Sequence, residues 1–401
     1  MHYGPGMIDR VTARGGLLPI MLAMTSGMLA MGVALPALPL ELQSRFACGT
    51  TVIGLVMGIQ AAATLLSRPW AGRMADRRGG RDTLLCGLLC TACSGLAYSL
   101  ALAPLLSPAM QQAMIVAGRL AMGLGEGLMV TGGGIWAVSL AGSEKAGAAM
   151  SWIGLAIFAG LGVGTALGDV IEIHAGFARL CLVAIALPVA GMGLTLLLPA
   201  PPRLHGGGHE GGMRWKHLIG HTWAWGGTLA LSAVGFAAIS SFLVIFYAAK
   251  DWHGGGWALG LFGAGHVIAR LVGSAHVDRD DVRPMVAAIM LVEALGLILI
   301  WLAPGPAWAA AGSFLTGFGF SLTYPLLALP VLRQAPPGAA GSAIGLFDVF
   351  FDIAAGSGAV MSGVLAGVAG PRSPFVLAML SAVAGSMLML VIRNPDTGRA
   401  P

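Results

Sequence analysis

Five ionisable side chains interrupt stretches of the chain that are otherwise apolar: Arg119, Glu126, Glu293, Asp348 and Asp352. An ionised group in hydrocarbon is costly, so each is a candidate for chemistry that an apolar residue cannot do. The chemistry open to them is proton uptake and release, ion pairing, and hydrogen bonding to a small polar molecule. Arg119 and Glu126 are seven residues apart, on one helix face and about 10 Å apart along it. They cannot pair directly, but both can line one cavity. Glu126, near the middle of its run, is the first candidate for a carboxylate that takes a proton or touches a substrate; a structural hydrogen bond to a neighbouring helix is the alternative. Asp348 and Asp352 stand one turn apart and repel, so at least one should pair with a cation or keep its proton. Proton coupling, a structural or gating ion pair and substrate contact are all open to them. Glu293 should face inward, toward His266 or Arg270, where a structural pair is favoured over a role in handling a proton or a substrate.

Other reactive side chains suggest less. Cys86, Cys90 and Cys93 share one helix face, as a soft-metal site would need, but small sulfur side chains more often simply pack. Cys48 and Cys181 fall near the same expected membrane face, and no disulfide is expected between them. His205 and His209 lie among glycines and are taken as solvated. Trp136 and Trp152 suit a cavity wall or an interfacial anchor equally. No metal or organic cofactor is expected, and no His-Glu-x-x-His, Gly-x-Ser-x-Gly or P-loop pattern is present, which argues against an enzyme and against direct ATP drive.

Composition dictates the scaffold that holds these residues. Apolar residues make up 57% of the 401 and charged residues only 10%, against about a quarter charged in a soluble protein. Such a chain cannot cover a water-facing surface. Runs of about 20 apolar residues can each cross a bilayer as a helix. Twelve are expected, near 17–40, 51–70, 83–103, 113–139, 146–170, 180–199, 218–248, 257–277, 285–302, 307–332, 339–368 and 375–392. The fold class expected is therefore an all-α membrane protein. The 62 glycines suit helices that pack closely in lipid.

Of the 22 basic residues, only Arg45, Arg179, Lys250 and Arg372 fall on one side of this map, and Arg119 falls within a run. The other seventeen lie on the opposite side, which makes that side cytoplasmic and puts both termini there. The basic excess is scattered over short loops and gives no nucleic-acid-binding stripe. The first run follows Arg10 and Arg14 and is long enough to span, so it is taken as a retained helix and not as a cleaved signal.

The Pro-, Gly- and Arg-containing stretch 200–217 reads as a flexible cytoplasmic linker between 1–199 and 218–401. These halves echo each other. Arg68 and Asp76-Arg77 recur 202 residues later as Arg270 and Asp278-Arg279; Gly147, Gly162 and Gly164 recur 194 residues later as Gly341, Gly356 and Gly358. Shared offsets of this size suggest an internal repeat.

Between the second and third runs lies Gly72-Arg-Met-Ala-Asp76-Arg77-Arg78-Gly79-Gly80-Arg81. Gly72 permits close helix packing, Gly79 and Gly80 a tight reversal, and the arginines hold the loop in the cytoplasm. The stretch resembles the signature loop of the major facilitator superfamily through Gly72, Asp76, Arg77, Gly79 and Arg81; Gly80 stands where the family has a basic residue. Gly118-Arg119-x-x-x-Gly123-x-Gly125-Glu126 resembles the family's fourth-helix motif. Gly160, Gly162, Gly164 and Gly168 are similar to the fifth-helix motif of its exporters, without the usual proline. Together they most resemble the bacterial drug- and sugar-efflux branch.

The resemblance implies two pseudo-symmetric six-helix bundles in the cytoplasmic (inner) membrane, functional as a monomer, and export of a small organic molecule driven by proton entry, with Arg119 linked to proton coupling. Proton-coupled uptake of a nutrient is the alternative. The family fold would also set Asp76 against the cytoplasmic start of the eleventh helix, near Ala339, when that side is closed. Arg68 lies about 12 Å deeper than Asp76, and Asp348 about 13 Å beyond Ala339, by the helical rise. An Arg68–Asp348 ion pair is therefore expected across the closed interface, to rupture on opening to the cytoplasm.

Overall fold

The computed structural model describes residues 17–141, 146–198, 215–273, 281–334 and 340–392. These form α1 (Leu17–Ser44), α2 (Thr50–Arg78), α3 (Gly80–Leu100), α4 (Pro108–Ala141), α5 (Ala146–Leu197), α6 (Trp215–Ala248), α7 (Gly255–Gly273), α8 (Arg283–Trp301), α9 (Pro306–Ser321), α10 (Thr323–Gln334), α11 (Ala340–Ala369) and α12 (Ser373–Val391). There is no strand among the described residues. Eleven helical stretches are long and apolar enough to cross a membrane, with Pro306–Gln334 counted as one. The linker expected at 200–217 lies outside the described residues except for 215–217, with which α6 begins. His205 and His209 lie outside them too.

Two expected runs, 146–170 and 180–199, are joined in α5. The segment expected to be a loop is helical because residues 169–175 (DVIEIHA) contain neither Gly nor Pro to stop the helix. The break comes at Gly176, with φ of 76° and ψ of 168°, a conformation open to glycine and disfavoured for other residues. The expected run at 307–332 is interrupted at Leu322, between α9 and α10. Pro325 accounts for this. It has no N–H for the Ser321 carbonyl, and its ring crowds that carbonyl.

The turn between α2 and α3 is a single residue. Gly79 has φ of 92°, and its N–H bonds to the Ala75 carbonyl at 2.9 Å. Gly80 is not part of the reversal. A Cβ there would lie 2.6 Å from the Gly132 carbonyl oxygen of α4, so its missing side chain serves packing.

First-half helices meet second-half helices chiefly along two seams, α2 with α11 and α5 with α7. Both are lined with glycine where backbones touch. A Cβ on Gly58 would sit 2.6 Å from the Gly356 carbonyl oxygen, and one on Gly162 would sit 2.7 Å from the Gly263 Cα. Farther along α2 and α11, a Cβ at Gly72 or Gly345 would meet nothing within 4 Å among the described residues. Gly162→Val should therefore wedge the α5–α7 seam apart. Its expected result is a folded protein with increased thiol labelling of a Cys at Ala166; unchanged labelling would mean the contact is dispensable.

Candidate functional site

The polar centre of the molecule lies on the α2–α11 seam. Arg68 of α2 donates Nη1 to Asp348 Oδ2 at 3.0 Å and Nη2 to Asp352 Oδ1 at 3.1 Å, and its Nε bonds to Asp352 Oδ2. The two carboxylates lie on one face of α11, at i and i+4, where one planar guanidinium reaches both. Asp352 is the more enclosed, with a side chain 4% exposed, against 17% for Asp348 and 21% for Arg68. The Arg68–Asp348 pair expected from depth is present, and Asp352 joins it through two bonds.

Tyr324 completes the cluster. It follows the Leu322 interruption directly, and its hydroxyl donates to Asp348 Oδ1 at 2.7 Å. Asp348 thus takes a hydrogen bond on one oxygen and an ion pair on the other. The Pro325 that breaks the helix also helps set the tyrosine's position.

One and two turns before Arg68, the same face of α2 carries Thr64 and Gln60. Both hold Glu126 of α4: Gln60 Nε2 donates to Oε2 at 2.9 Å and Thr64 Oγ1 donates to the same oxygen at 3.1 Å. Gln60 and Thr64 are themselves buried, whereas Glu126 is partly exposed. Gln60, Thr64 and Tyr324 were not candidates from sequence. The four-residue spacing of Gln60, Thr64 and Arg68 in an apolar run is the signal that marks the first two. Tyr324 has none.

Arg119 is buried and does not join Glu126. Its Nη2 donates to the Met57 carbonyl at 2.9 Å, and among the described residues its Nε has no partner. Glu293 is fully buried, but not against His266 or Arg270. Ser232 of α6 donates to its Oε2 at 2.6 Å, and a Cβ on Gly235 would strike its Oε1. The glycine one turn beyond Ser232 leaves room for a carboxylate from α8, a tertiary fit that charge-pairing logic does not see.

The loop residues divide by role. Asp76 and Arg77 are exposed, and Asp76 has no hydrogen-bond or ion-pair partner among the described residues. The expected partner position, Ala339, lies outside those residues. Arg81 donates Nε to the Thr195 carbonyl at 3.1 Å and Nη2 to the Leu196 carbonyl at 3.0 Å. Carbonyls in a helix's last turn lack helical partners and carry partial negative charge, which a cation satisfies. Arg81→Ala should cost about 1 kcal/mol of stability, seen as a lower unfolding temperature in detergent with transport retained in the folded fraction; an unchanged unfolding temperature would show that the cap contributes nothing.

The glycines of α5 also split. Gly160, Gly164 and Gly168, at four-residue spacing, face α1 at the backbones of Thr25, Leu29 and Val33, whereas Gly162 faces Gly263 of α7. Among the cysteines, Cys48 and Cys181 are both free, and Cys86 and Cys90 pack near Ala71, Met74 and Leu128. Trp136 is fully buried beneath Gly80, and so is not an interfacial anchor.

A spanning, all-helical chain with ion pairs and carboxylates between its halves is built like a membrane transporter. The model of the Major Facilitator Superfamily matches residues 20–254 and 225–401. A relative described as an uncharacterized MFS-type transporter of Salmonella typhimurium is 33% identical over 384 residues, covering 94% of this chain and 97% of the relative. The chain belongs to the major facilitator superfamily of membrane transporters. Solved structures share its fold. The inward-open xylose transporter XylE from E. coli has a TM-score of 0.75 at 14% identity, covering 94% of this chain and 96% of that one. The human organic anion transporter MFSD10 has a TM-score of 0.68 at 17% identity, covering 96% and 100%.

Proposed function

We propose that this protein exports a small organic molecule across the cytoplasmic membrane, driven by proton entry, through alternating access of two six-helix bundles. In this reading α5 crosses the membrane twice, turning at Gly176, and with α9 and α10 counted as one crossing the chain makes twelve. The bundles are 1–199 and 218–401, with 200–217 and both termini in the cytoplasm, and one copy suffices. The efflux-like glycine pattern of α5 favours this branch of the superfamily and this direction.

The observation that carries the reading is the Arg68–Asp348–Asp352 cluster, which ties α2 of one half to α11 of the other beside the hydrogen-bonded carboxylate of Glu126. Rocking of the halves must break or re-form such contacts, and a proton on a carboxylate changes their strength.

The test is accumulation of a substrate panel in everted vesicles with an imposed pH gradient, compared with vesicles lacking the protein. Uphill uptake into everted vesicles supports export. Accumulation only in right-side-out vesicles would make the protein a proton-coupled importer, and no gradient dependence would remove the proton. A tag near Gly207 labelled from the periplasm would overturn the topology.

A further inference from the structure

The two seams between the halves follow one plan and differ in charge. Adding 202 to α2 residue numbers gives positions in α7, and adding 194 to those of 146–175 gives positions in α11. Under these shifts Gly54 against Gly363 becomes Gly256 against Asp169. Gly58 against Val360 becomes Gly260 against Ala166, and Ala61 against Gly356 becomes Gly263 against Gly162. Every one of these contacts is present. The first shift also carries Arg81, which caps the end of α5, onto Arg283, which donates to the Ile392 carbonyl at the end of α12.

The same shifts carry Arg68 onto Arg270, and Asp348 and Asp352 onto Gly154 and Phe158. Arg270 lies where the plan requires: a Cβ on Gly154 would sit 2.5 Å from its Nη1. His266, the counterpart of Thr64, stacks on Phe158 with ring centroids 3.7 Å apart. What Arg270 lacks, among the described residues, is a carboxylate at the positions that match Asp348 and Asp352. Among the described residues Arg270 forms no ion pair and its Nε has no hydrogen-bond partner. Neither ring nitrogen of His266 has one, although the residue is 1% exposed. Arg68 meets two carboxylates; Arg270 lies against Gly154.

A cation in a spanning helix is costly without a counter-charge, and Arg270 is partly exposed, so an anion can reach it. The adjoining packing is aromatic, with Phe262 and Phe320 buried. Phe320 lies 5.8 Å from His266, 5.9 Å from Phe236 and Phe262, and 6.2 Å from Phe158. Phe158, Phe236 and Phe262 also line a small cleft with Leu35 of α1; neither Arg270 nor His266 lines it, and His266 adjoins it through its stacking on Phe158.

We propose that the α5–α7 seam is a binding site for an organic acid. Its carboxylate pairs with Arg270 beside Gly154, in the position that Asp348 fills on the other seam, and accepts a hydrogen bond from His266. Its apolar, preferably aromatic, body lies against Phe158, Phe236 and Phe262. That this acid is the cargo rests on the transport reading above; the site itself does not.

The test uses the full-length purified protein in zwitterionic-lipid nanodiscs, with thermal unfolding read against 1-naphthoate, octanoate, sulfate and the uncharged 1-naphthamide. Expected is a dose-dependent rise with 1-naphthoate and none with 1-naphthamide. Arg270→Gln should weaken the naphthoate response at least tenfold, and Arg270→Lys should retain part of it. Gly154→Asp supplies the missing carboxylate from the protein, so it should raise the unfolding temperature without ligand and abolish the naphthoate response. Equal responses to acid and amide, an unaltered response in Arg270→Gln, or no response to any of the three anions would overturn the site. So would a Gly154→Asp variant that keeps the naphthoate response. Nanodiscs containing phosphatidylglycerol separate the sources. An Arg270-dependent stabilisation by that lipid that excludes 1-naphthoate would make the ligand a headgroup and overturn the cargo assignment. Binding is read without transport, so absence of gradient-driven transport with binding intact would refute the transport reading and leave this site standing.

Discussion

Replacing Arg68 with Gln is expected to abolish transport and to cost about 3 kcal/mol of stability, because it leaves two carboxylates facing each other with no cation between them. The two aspartates should not be equivalent. Asp352 takes two of the three bonds from Arg68 and is the more enclosed, whereas Asp348 takes one and keeps Tyr324. Asp352→Asn should therefore be more damaging than Asp348→Asn. Arg68→Lys should fall between wild type and Gln, since one ammonium cannot reproduce the planar fork that spans both carboxylates. Exchanging Arg68→Asp with Asp348→Arg should recover part of the loss, because the new arginine still has Asp352 one turn away. The measurements are unfolding in detergent and transport rate in protein-matched vesicles, as a double-mutant cycle. Strictly additive losses in the exchanged pair would mean that the contact does not couple the halves.

Glu126→Gln is expected to reduce gradient-driven transport to the passive level while leaving the protein folded. Both hydrogen bonds to Glu126 arrive at one oxygen, Oε2, from Gln60 and Thr64. The carbonyl oxygen of a glutamine can accept both, so the stability change should stay within about 1 kcal/mol. The amide differs in one chemical respect: it cannot take up and release a proton. Counterflow exchange of labelled for unlabelled substrate, which needs no proton movement, should persist. Undiminished uphill transport in the variant would remove Glu126 from the coupling mechanism and leave it a structural hydrogen-bond acceptor between α2 and α4.

The two variants probe different parts of one surface. Gln60, Thr64 and Arg68 occupy successive turns of α2 and reach two different helices: the first two hold Glu126 of α4, the last holds Asp348 and Asp352 of α11. A proton gained at either group changes what α2 is attached to. Among the described residues the opposite seam carries no such carboxylates beside Arg270, so the pseudo-symmetric helices meet with unlike charge.

Composition, and spacing along a single helix, are the properties through which the amino-acid sequence alone constrains this protein. Few charges in long apolar runs dictate spanning helices, since unpaired backbone groups cannot face lipid. The basic residues assign a cytoplasmic side. The depth of Arg68 and Asp348 predicts their meeting once α2 and α11 are taken as neighbours, because helical rise is constant. The repeat was legible for a similar reason, as residue offsets survive when the path of the chain is unknown.

Contacts that depend on which helix faces meet were settled only in three dimensions. Glu293 finds Ser232 and the space over Gly235, not His266 or Arg270, because the rotation of α8 against α6 is set by packing along its whole length. Glu126 is held by Gln60 and Thr64, whose spacing marks a polar face of α2 but does not say which helix that face meets. Tyr324 reaches Asp348 because Pro325 interrupts the helix just before it. Arg81, one of several arginines in a basic loop, is the one that satisfies the carbonyls ending α5. The offsets place Gly154 and Phe158 where the other half has Asp348 and Asp352, but only the structure sets Arg270 against Gly154.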